Sequence, residues 1–314
     1  MTARNGEGPL PTSGAAAGLA DGWAELEGAR IHYVERGSGP PVLMLHGFPQ
    51  FWWLWRAQLA DLGRDHRVVA PDMRGYNLSS APQDVEAYRM RHLIADVRGL
   101  VERLGGEPVV LVGHDWGGIV SWAFAIKHPE LVDRLVICDA PPPFTWGREL
   151  ERTPRQREAV RYMEDFAKPP PLGEELVRAN DFAAMEALAL GRGIEEGYLG
   201  ESDRRLYREA WSQPGVLTGG LNYYRAAGMG DQVRFGQPAE VQAALRSMRV
   251  EVPTLVVWGE EDHFLLPGLT DGIEEWVPDV RVEILPGAGH WVPQQRAAEV
   301  TALIREFLGT PAPS

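Results

Sequence analysis

The chain has 314 residues, 44% hydrophobic and 24% charged, with a formal net charge of −13. That is enough apolar material for a full core, either as one α/β domain carrying an insertion or as two domains, and the acidic balance disfavours nucleic acid and membrane surfaces as partners. One cysteine, Cys138, rules out an intrachain disulfide or a cysteine-rich metal site and reads as a small core residue.

Residues 1–21 are rich in Gly, Ala, Pro, Ser and Thr and read as a disordered tail. Arg4 is followed by no apolar leader, and no run approaches the roughly 18 apolar residues of a membrane span, so a cytoplasmic location is expected. Without an export signal, the Asn77-Leu78-Ser79 sequon is read as chance. Alternation in 24–27 and 30–34 around Gly28 predicts an edge hairpin. Val42–Leu45 is a buried strand ending in His46-Gly47-Phe48-Pro49, and the aromatic-dense stretch 50–62 predicts a packed helix. Arg67–Pro71 is the next strand, closing in Asp72-Met73-Arg74-Gly75-Tyr76. Leu93, Val97, Leu100, Val101 and Leu104 fall on one stripe of a helix over 90–104, which Gly105-Gly106 stops.

Val109–Val112 then runs into Gly113-His114-Asp115-Trp116-Gly117-Gly118. A buried strand, a sharp bend and a helix start fit the G-x-nucleophile-x-G elbow, with Asp115 in the nucleophile position. Leu135–Cys138 is another buried strand. Ala140-Pro141-Pro142-Pro143 breaks the alternation, and 144–235 contains helical segments and no convincing strand. The charge-rich run from Arg148 to Arg161 reads as a solvated helix face. Strands resume at 254–258 and 281–285, and an amphipathic helix covers 294–308. The expected architecture is α/β: a mostly parallel sheet flanked by helices, built from 22–143 and 236–314, with a helical cap inserted over 144–235.

In open parallel sheets, reactive groups gather at the carboxyl ends of the strands. Asp115 follows one such strand, Asp262 a second and His290 a third, in the chain order nucleophile, acid, histidine. A carboxylate nucleophile displaces a leaving group from saturated carbon and becomes an alkyl ester. Water must then attack the Asp115 carboxyl carbon, with His290 as general base and Asp262 orienting it. The backbone N–H groups of Phe48 and Trp116 are the candidate oxyanion donors, and Phe48, Trp116 and Trp291 the candidate substrate wall. The eight histidines form no His-Glu-x-x-His pair and no carboxylate cluster has metal-ligand spacing, so neither metal nor cofactor is expected.

His46-Gly47-Phe48-Pro49, Asp72-Met73-Arg74-Gly75-Tyr76, the Asp115 elbow and Gly289-His290-Trp291 resemble the soluble epoxide hydrolase branch of the α/β-hydrolase superfamily, over about residues 23–308. The resemblance implies conversion of an apolar or aryl epoxide to a vicinal diol, with only the epoxide and water as partners. It also implies two lid tyrosines that activate the epoxide oxygen. Tyr162-Met163-Glu164-Asp165-Phe166-Ala167-Lys168-Pro169 and Asn222-Tyr223-Tyr224-Arg225 match those stretches, pointing to Tyr162 and Tyr224. The sequence is compatible with a homodimer. Two departures stand out: Ala167 replaces a common Gln, and Asp139-Ala140-Pro141-Pro142-Pro143 puts a second acid at a strand end, a rival to Asp262.

The alternative is a haloalkane dehalogenase using the same Asp. There the second halide donor is usually an Asn where Phe48 stands, or a lid Trp, for which Trp146 and Trp211 are candidates. Fluoroacetate dehalogenases carry arginines where Trp116 and Ile119 stand, which argues against that activity. A hydrolase-like binding protein would carry a damaged triad, and none is seen.

Overall fold

The computed structural model of the chain describes residues 12–14, 17 and 19–309. Eight strands make one sheet: β1 (Ala20–Leu26), β2 (Ala29–Arg36), β3 (Pro41–Leu45), β4 (Arg67–Pro71), β5 (Val109–His114), β6 (Val132–Cys138), β7 (Thr254–Gly259) and β8 (Val280–Leu285). Their spatial order is β1-β2-β4-β3-β5-β6-β7-β8. β1 pairs with β2, and β2 with β4, antiparallel; all later neighbours are parallel. Helices α1 (Arg56–Leu62), α2 (Met90–Arg103) and α3 (Trp116–Lys127) connect the first strands.

β5 lies at the centre with all six residues buried. A strand covered on both faces must be apolar throughout, which is why Val109–Val112 shows no alternation. α2 buries Leu93, Ile94, Val97, Leu100 and Val101 on one stripe. The stretch expected as one helix over 50–62 is a 3₁₀ turn, Trp52–Trp55, followed by α1. Its indoles drive the difference: Trp52 and Trp55 are buried, and tighter winding turns both inward.

Between β6 and β7 the described residues form helices and no strand. They are α4 (Pro143–Arg152), α5 (Pro154–Ala159), α6 (Tyr162–Phe166), α7 (Leu172–Ala189, broken at 179–182), α8 (Gly191–Glu195), α9 (Glu201–Trp211), α10 (Val216–Ala226), α11 (Met229–Phe235) and α12 (Ala239–Arg246). The helical run thus continues past 235, because α12 packs back on α4. After β8 come α13 (Val292–Gln295) and α14 (Ala297–Leu308), two helices where one was expected.

The expected tail over 1–21 is too long. Ala20 and Asp21 pair with Glu35 and Val34 as the start of β1. Asp21 Oδ1 accepts from the Gly14 amide at 2.6 Å and from His32 Nε2 at 2.8 Å, while His32 Nδ1 meets Asp72 Oδ2 at 2.7 Å. Thr12 is buried, its carbonyl accepting from Trp52 Nε1 at 2.8 Å. Residues 1–11, 15, 16 and 18 of that expectation lie outside the described residues.

Candidate active site

Register sets the site. Leu45 lies beside Gly113, His114 beside Cys138, Cys138 beside Val257, and Gly259 beside Leu285. The strands therefore end along one edge, and the loops carrying Phe48, Asp115, Asp139, Asp262 and His290 all leave from it.

Asp115 occupies φ 50°, ψ −122°, a sparsely populated conformation for a residue with a Cβ, costing about 1–3 kcal/mol. The surroundings hold it there. Its amide donates to the Cys138 carbonyl at 3.3 Å, and its carbonyl accepts from Ile119 at 2.9 Å as α3 begins. Two glycines permit the approach: a Cβ on Gly117 would collide with the β3 carbonyl of Leu45, and one on Gly47 with Asp115 Oδ1. The Phe48 amide donates to Asp115 Oδ1 at 2.8 Å, and the Trp116 amide donates to the same carboxylate. Both predicted oxyanion donors therefore converge on Asp115. The Met73 amide donates to His46 Nε2 at 2.9 Å, tying the His46-Gly47 loop to the end of β4.

His290 Nε2 lies 3.7 Å from Asp115 Oδ2, and its Nδ1 donates to Asp262 Oδ2 at 2.7 Å. Asp262 Oδ1 accepts from the Phe264 and Leu265 amides at 2.8 and 2.9 Å. Burial opposes charge on His290, but the carboxylates of Asp262 and Asp115 outweigh it and hold the imidazole pKa well above its usual value. Burial likewise opposes the Asp115 charge, yet hydrogen bonding to His290 and its positive charge keep that carboxyl below the ordinary carboxylate range. His114, pushed down to about 3 by burial and by the His290 charge, is neutral and donates from Nε2 to the His290 carbonyl at 2.9 Å.

Asp139, the rival acid, does not receive the His290 hydrogen bond. Its Oδ1 accepts from the Gly259 amide at 2.8 Å and its Oδ2, fully buried, meets no partner among the described residues. Burial, then the Asp262 charge, raise its pKa well above the carboxylate range. Asp139, Asp262 and His290 each present an atom within 4.8 Å of the others, but His290 and Asp262 are spent on one another and Asp139 holds its proton.

Tyr224 is buried and stands edge-on to Trp116 and Phe48, at 5.1 and 5.4 Å between ring centroids. Tyr162 and Tyr224 both pack edge-on against Phe166, at 5.1 and 5.3 Å, and their phenols share a hydrogen bond. Burial, together with the charge of Asp115, raises both pKa values well above 10, so both phenols keep their protons and can donate.

A cavity of about 110 Å³ adjoins Asp115. Trp116, Ile119, Pro141, Trp146, Met163 and Leu265 line it, and Gln232 and Gln237 add polar groups. Of the three wall residues expected, only Trp116 lines this cavity. Phe48 is one layer back against Phe166 and Tyr224. Trp291 packs on the His114 and His290 rings. The lid indoles are engaged: Trp146 Nε1 donates to Gln232 Oε1 at 3.1 Å and Trp211 Nε1 to the Pro49 carbonyl at 2.6 Å.

Gln156 escapes sequence reasoning. It lies in the run read as a solvated face yet is only 1% exposed. Its Nε2 donates to the Phe264 carbonyl at 2.9 Å and its Oε1 accepts from the Leu266 amide at 2.8 Å, clamping the loop that presents Asp262. Gln156, Val160 and Met163 are all buried at i, i+4 and i+7, a spacing hidden by the charges around it.

A family model described as the alpha/beta hydrolase fold matches residues 40–296. Epoxide hydrolase 2 of Caenorhabditis elegans is 37% identical over 292 residues, covering 91% of this chain and 79% of that protein. Epoxide hydrolase 4 of Mus musculus is 36% identical over 291 residues, covering 90% and 77%. A Bacillus megaterium epoxide hydrolase solved in complex with an inhibitor superposes with a TM-score of 0.84 at 33% identity, covering 92% of this chain and all of that one. A shared fold at that identity over nearly the full length leaves one conclusion: the chain belongs to the α/β-hydrolase family, in its epoxide hydrolase branch.

Proposed function

We propose that the protein hydrolyses an apolar or aryl epoxide to a vicinal diol through an ester on Asp115. The observation that carries this reading is an Asp115 carboxylate held by the Phe48 amide 2.8 Å away and faced by His290 Nε2 at 3.7 Å, with Tyr224 packed edge-on against Trp116 and Phe48 beside it. The free carboxylate oxygen attacks a ring carbon, the carbon–oxygen bond breaks, and the alkoxide takes a proton from Tyr162 or Tyr224. His290, charged at rest, restores the phenol proton and is left neutral.

Esterification removes the negative charge 3.7 Å from His290 Nε2. With that charge gone the imidazole holds a proton less tightly, so His290 becomes a base once the intermediate exists. It takes a proton from water, and the hydroxide adds to the Asp115 carboxyl carbon. The Phe48 and Trp116 amides hold the oxyanion, and Asp262 steadies the imidazolium. Collapse expels the second alkoxide, which takes the proton left on the Asp115 carboxyl. Water and epoxide are consumed, and the carboxylate and imidazolium return.

For dehalogenation, the alternative, neither candidate lid donor is free, since the indoles of Trp146 and Trp211 are both engaged. The same proposal takes an epoxide and water as the small-molecule partners. It also takes a cytoplasmic location, in keeping with a lone, buried Cys138. Among the described residues no helix is long and apolar enough to cross a membrane. The test is a paired assay, following diol from styrene oxide and halide from a bromoalkane, with Asp115→Asn as the blank. Diol without halide is expected; halide without diol refutes the reading.

A further inference from the structure

On the far side of α4 from Asp115 lies a second opening, a surface cleft of about 390 Å³. Phe144 and Trp276, stacked at 4.7 Å and 16°, give it an aromatic wall, and Arg148, Glu151 and Arg152 give it polar ones. One residue lines both this cleft and the cavity beside Asp115: Gln237. The partition is otherwise α4, whose Pro143 and Trp146 line the inner cavity while Phe144, Arg148, Glu151 and Arg152 line the outer cleft.

Three properties separate Gln237 from the rest of the partition. Gln232, the other inner glutamine, is fixed at both ends of its amide, by Trp146 Nε1 and by the Ala227 carbonyl at 2.8 Å. No group hydrogen-bonds the side-chain amide of Gln237 among the described residues, and the residue is half-buried. It lies in a recess that α4 leaves open by carrying glycine at 147; a Cβ there would collide with Gln237 Oε1. Rotation about its own side-chain bonds costs no hydrogen bond and no backbone change, within about the rotamer energy of an ordinary side chain.

We infer that Gln237 is a specificity-determining partition, and that the outer cleft is the distal subsite for elongated epoxides whose far end is aromatic. A compact epoxide fits within the inner cavity. A longer one displaces the Gln237 amide, leaves its reacting ring beside Asp115, and lays its far end against Phe144, Trp276 and Arg152. This rests on the epoxide reading above.

The experiment compares kcat/KM for styrene oxide and a naphthyl glycidyl ether in the unaltered protein, Gln237→Ala and Gln237→Trp. Gln237→Ala is expected to raise the naphthyl-to-styrene ratio about tenfold, the discrimination typical of one or two methylene-sized contacts. Gln237→Trp is expected to lower it by a similar factor, by cutting the naphthyl arm more than the styrene one. A ratio unchanged in both variants overturns the inference. Diol formed from styrene oxide by the unaltered protein in the same experiment keeps that failure distinct from failure of the epoxide reading.

Discussion

Asp262→Asn isolates the second half of the proposed reaction. Asp262 spends Oδ1 on the Phe264 and Leu265 amides, so an asparagine keeps its carbonyl oxygen there and turns its NH₂ towards His290. A donor 2.7 Å from Nδ1 forces Nδ1 to accept, which moves the imidazole proton to Nε2, the nitrogen facing Asp115. A protonated Nε2 cannot take a proton from water. The wrong tautomer is worth about 10⁴-fold where a buried carboxylate orients a catalytic histidine, or about 5.4 kcal/mol of barrier. The loss should fall mainly on ester hydrolysis, because the ring-opening step itself uses Asp115 and the two phenols and His290 acts only after it. Rapid mixing with styrene oxide should give a burst of about one equivalent of ester, visible by intact mass, followed by turnover about 10⁴-fold below normal. A loss under tenfold would refute the orienting role of Asp262 and point to Asp139, the other acid in reach of His290.

Tyr162→Phe together with Tyr224→Phe removes both proton donors and should slow ester formation by at least about 10²–10³-fold, measured as the burst rate; an unchanged burst would make the tyrosines packing residues. Asp139→Asn replaces a carboxyl already held protonated by burial and by the Asp262 charge, so kcat/KM at neutral pH should change less than about threefold; a large loss would mean that Asp139 is charged. His32 carries a stability signature. Burial opposes its charge, but Asp72 and Asp21 flank both ring nitrogens and raise its pKa. Because the folded pKa exceeds the unfolded one, this stabilisation is full below about pH 6.5 and is lost as pH rises through the raised value. His32→Gln should cost about 2–4 kcal/mol at pH 6, less at high pH, in urea unfolding; a pH-independent difference would count against the charged His32.

The proposed catalytic edge was legible because Asp115, Asp262 and His290 each follow a strand by only a few positions, and parallel strands bring their carboxyl ends to one side. Even so, local sequence gave no means to choose between Asp139 and Asp262. Both follow strands, and the choice was made by the Phe264 and Leu265 amides, which turn Asp262 towards Nδ1 of His290. The wall of the cavity beside Asp115 was the least legible part. Met163, Gln232 and Gln237 come from short insert segments whose facing is decided by packing on the sheet edge, not by a periodic stripe of their own. The start of the first strand was missed for a similar reason: Ala20 and Asp21 are held by β2 and by His32, and nothing in their own chemistry favours a strand.

The Gln156 clamp limits how freely the two parts of this protein can be recombined. The loop bearing Asp262 belongs to the sheet portion of the chain, yet part of its backbone hydrogen bonding is completed by a side chain of the insert. Exchanging the insert for that of a relative, to borrow its substrate range, would exchange this anchor as well. A graft spanning 143–246 that keeps a glutamine on the equivalent helix turn retains the loop; one that does not strands the Phe264 carbonyl and the Leu266 amide, and a chimera judged only on its pocket would fail in its chemistry instead.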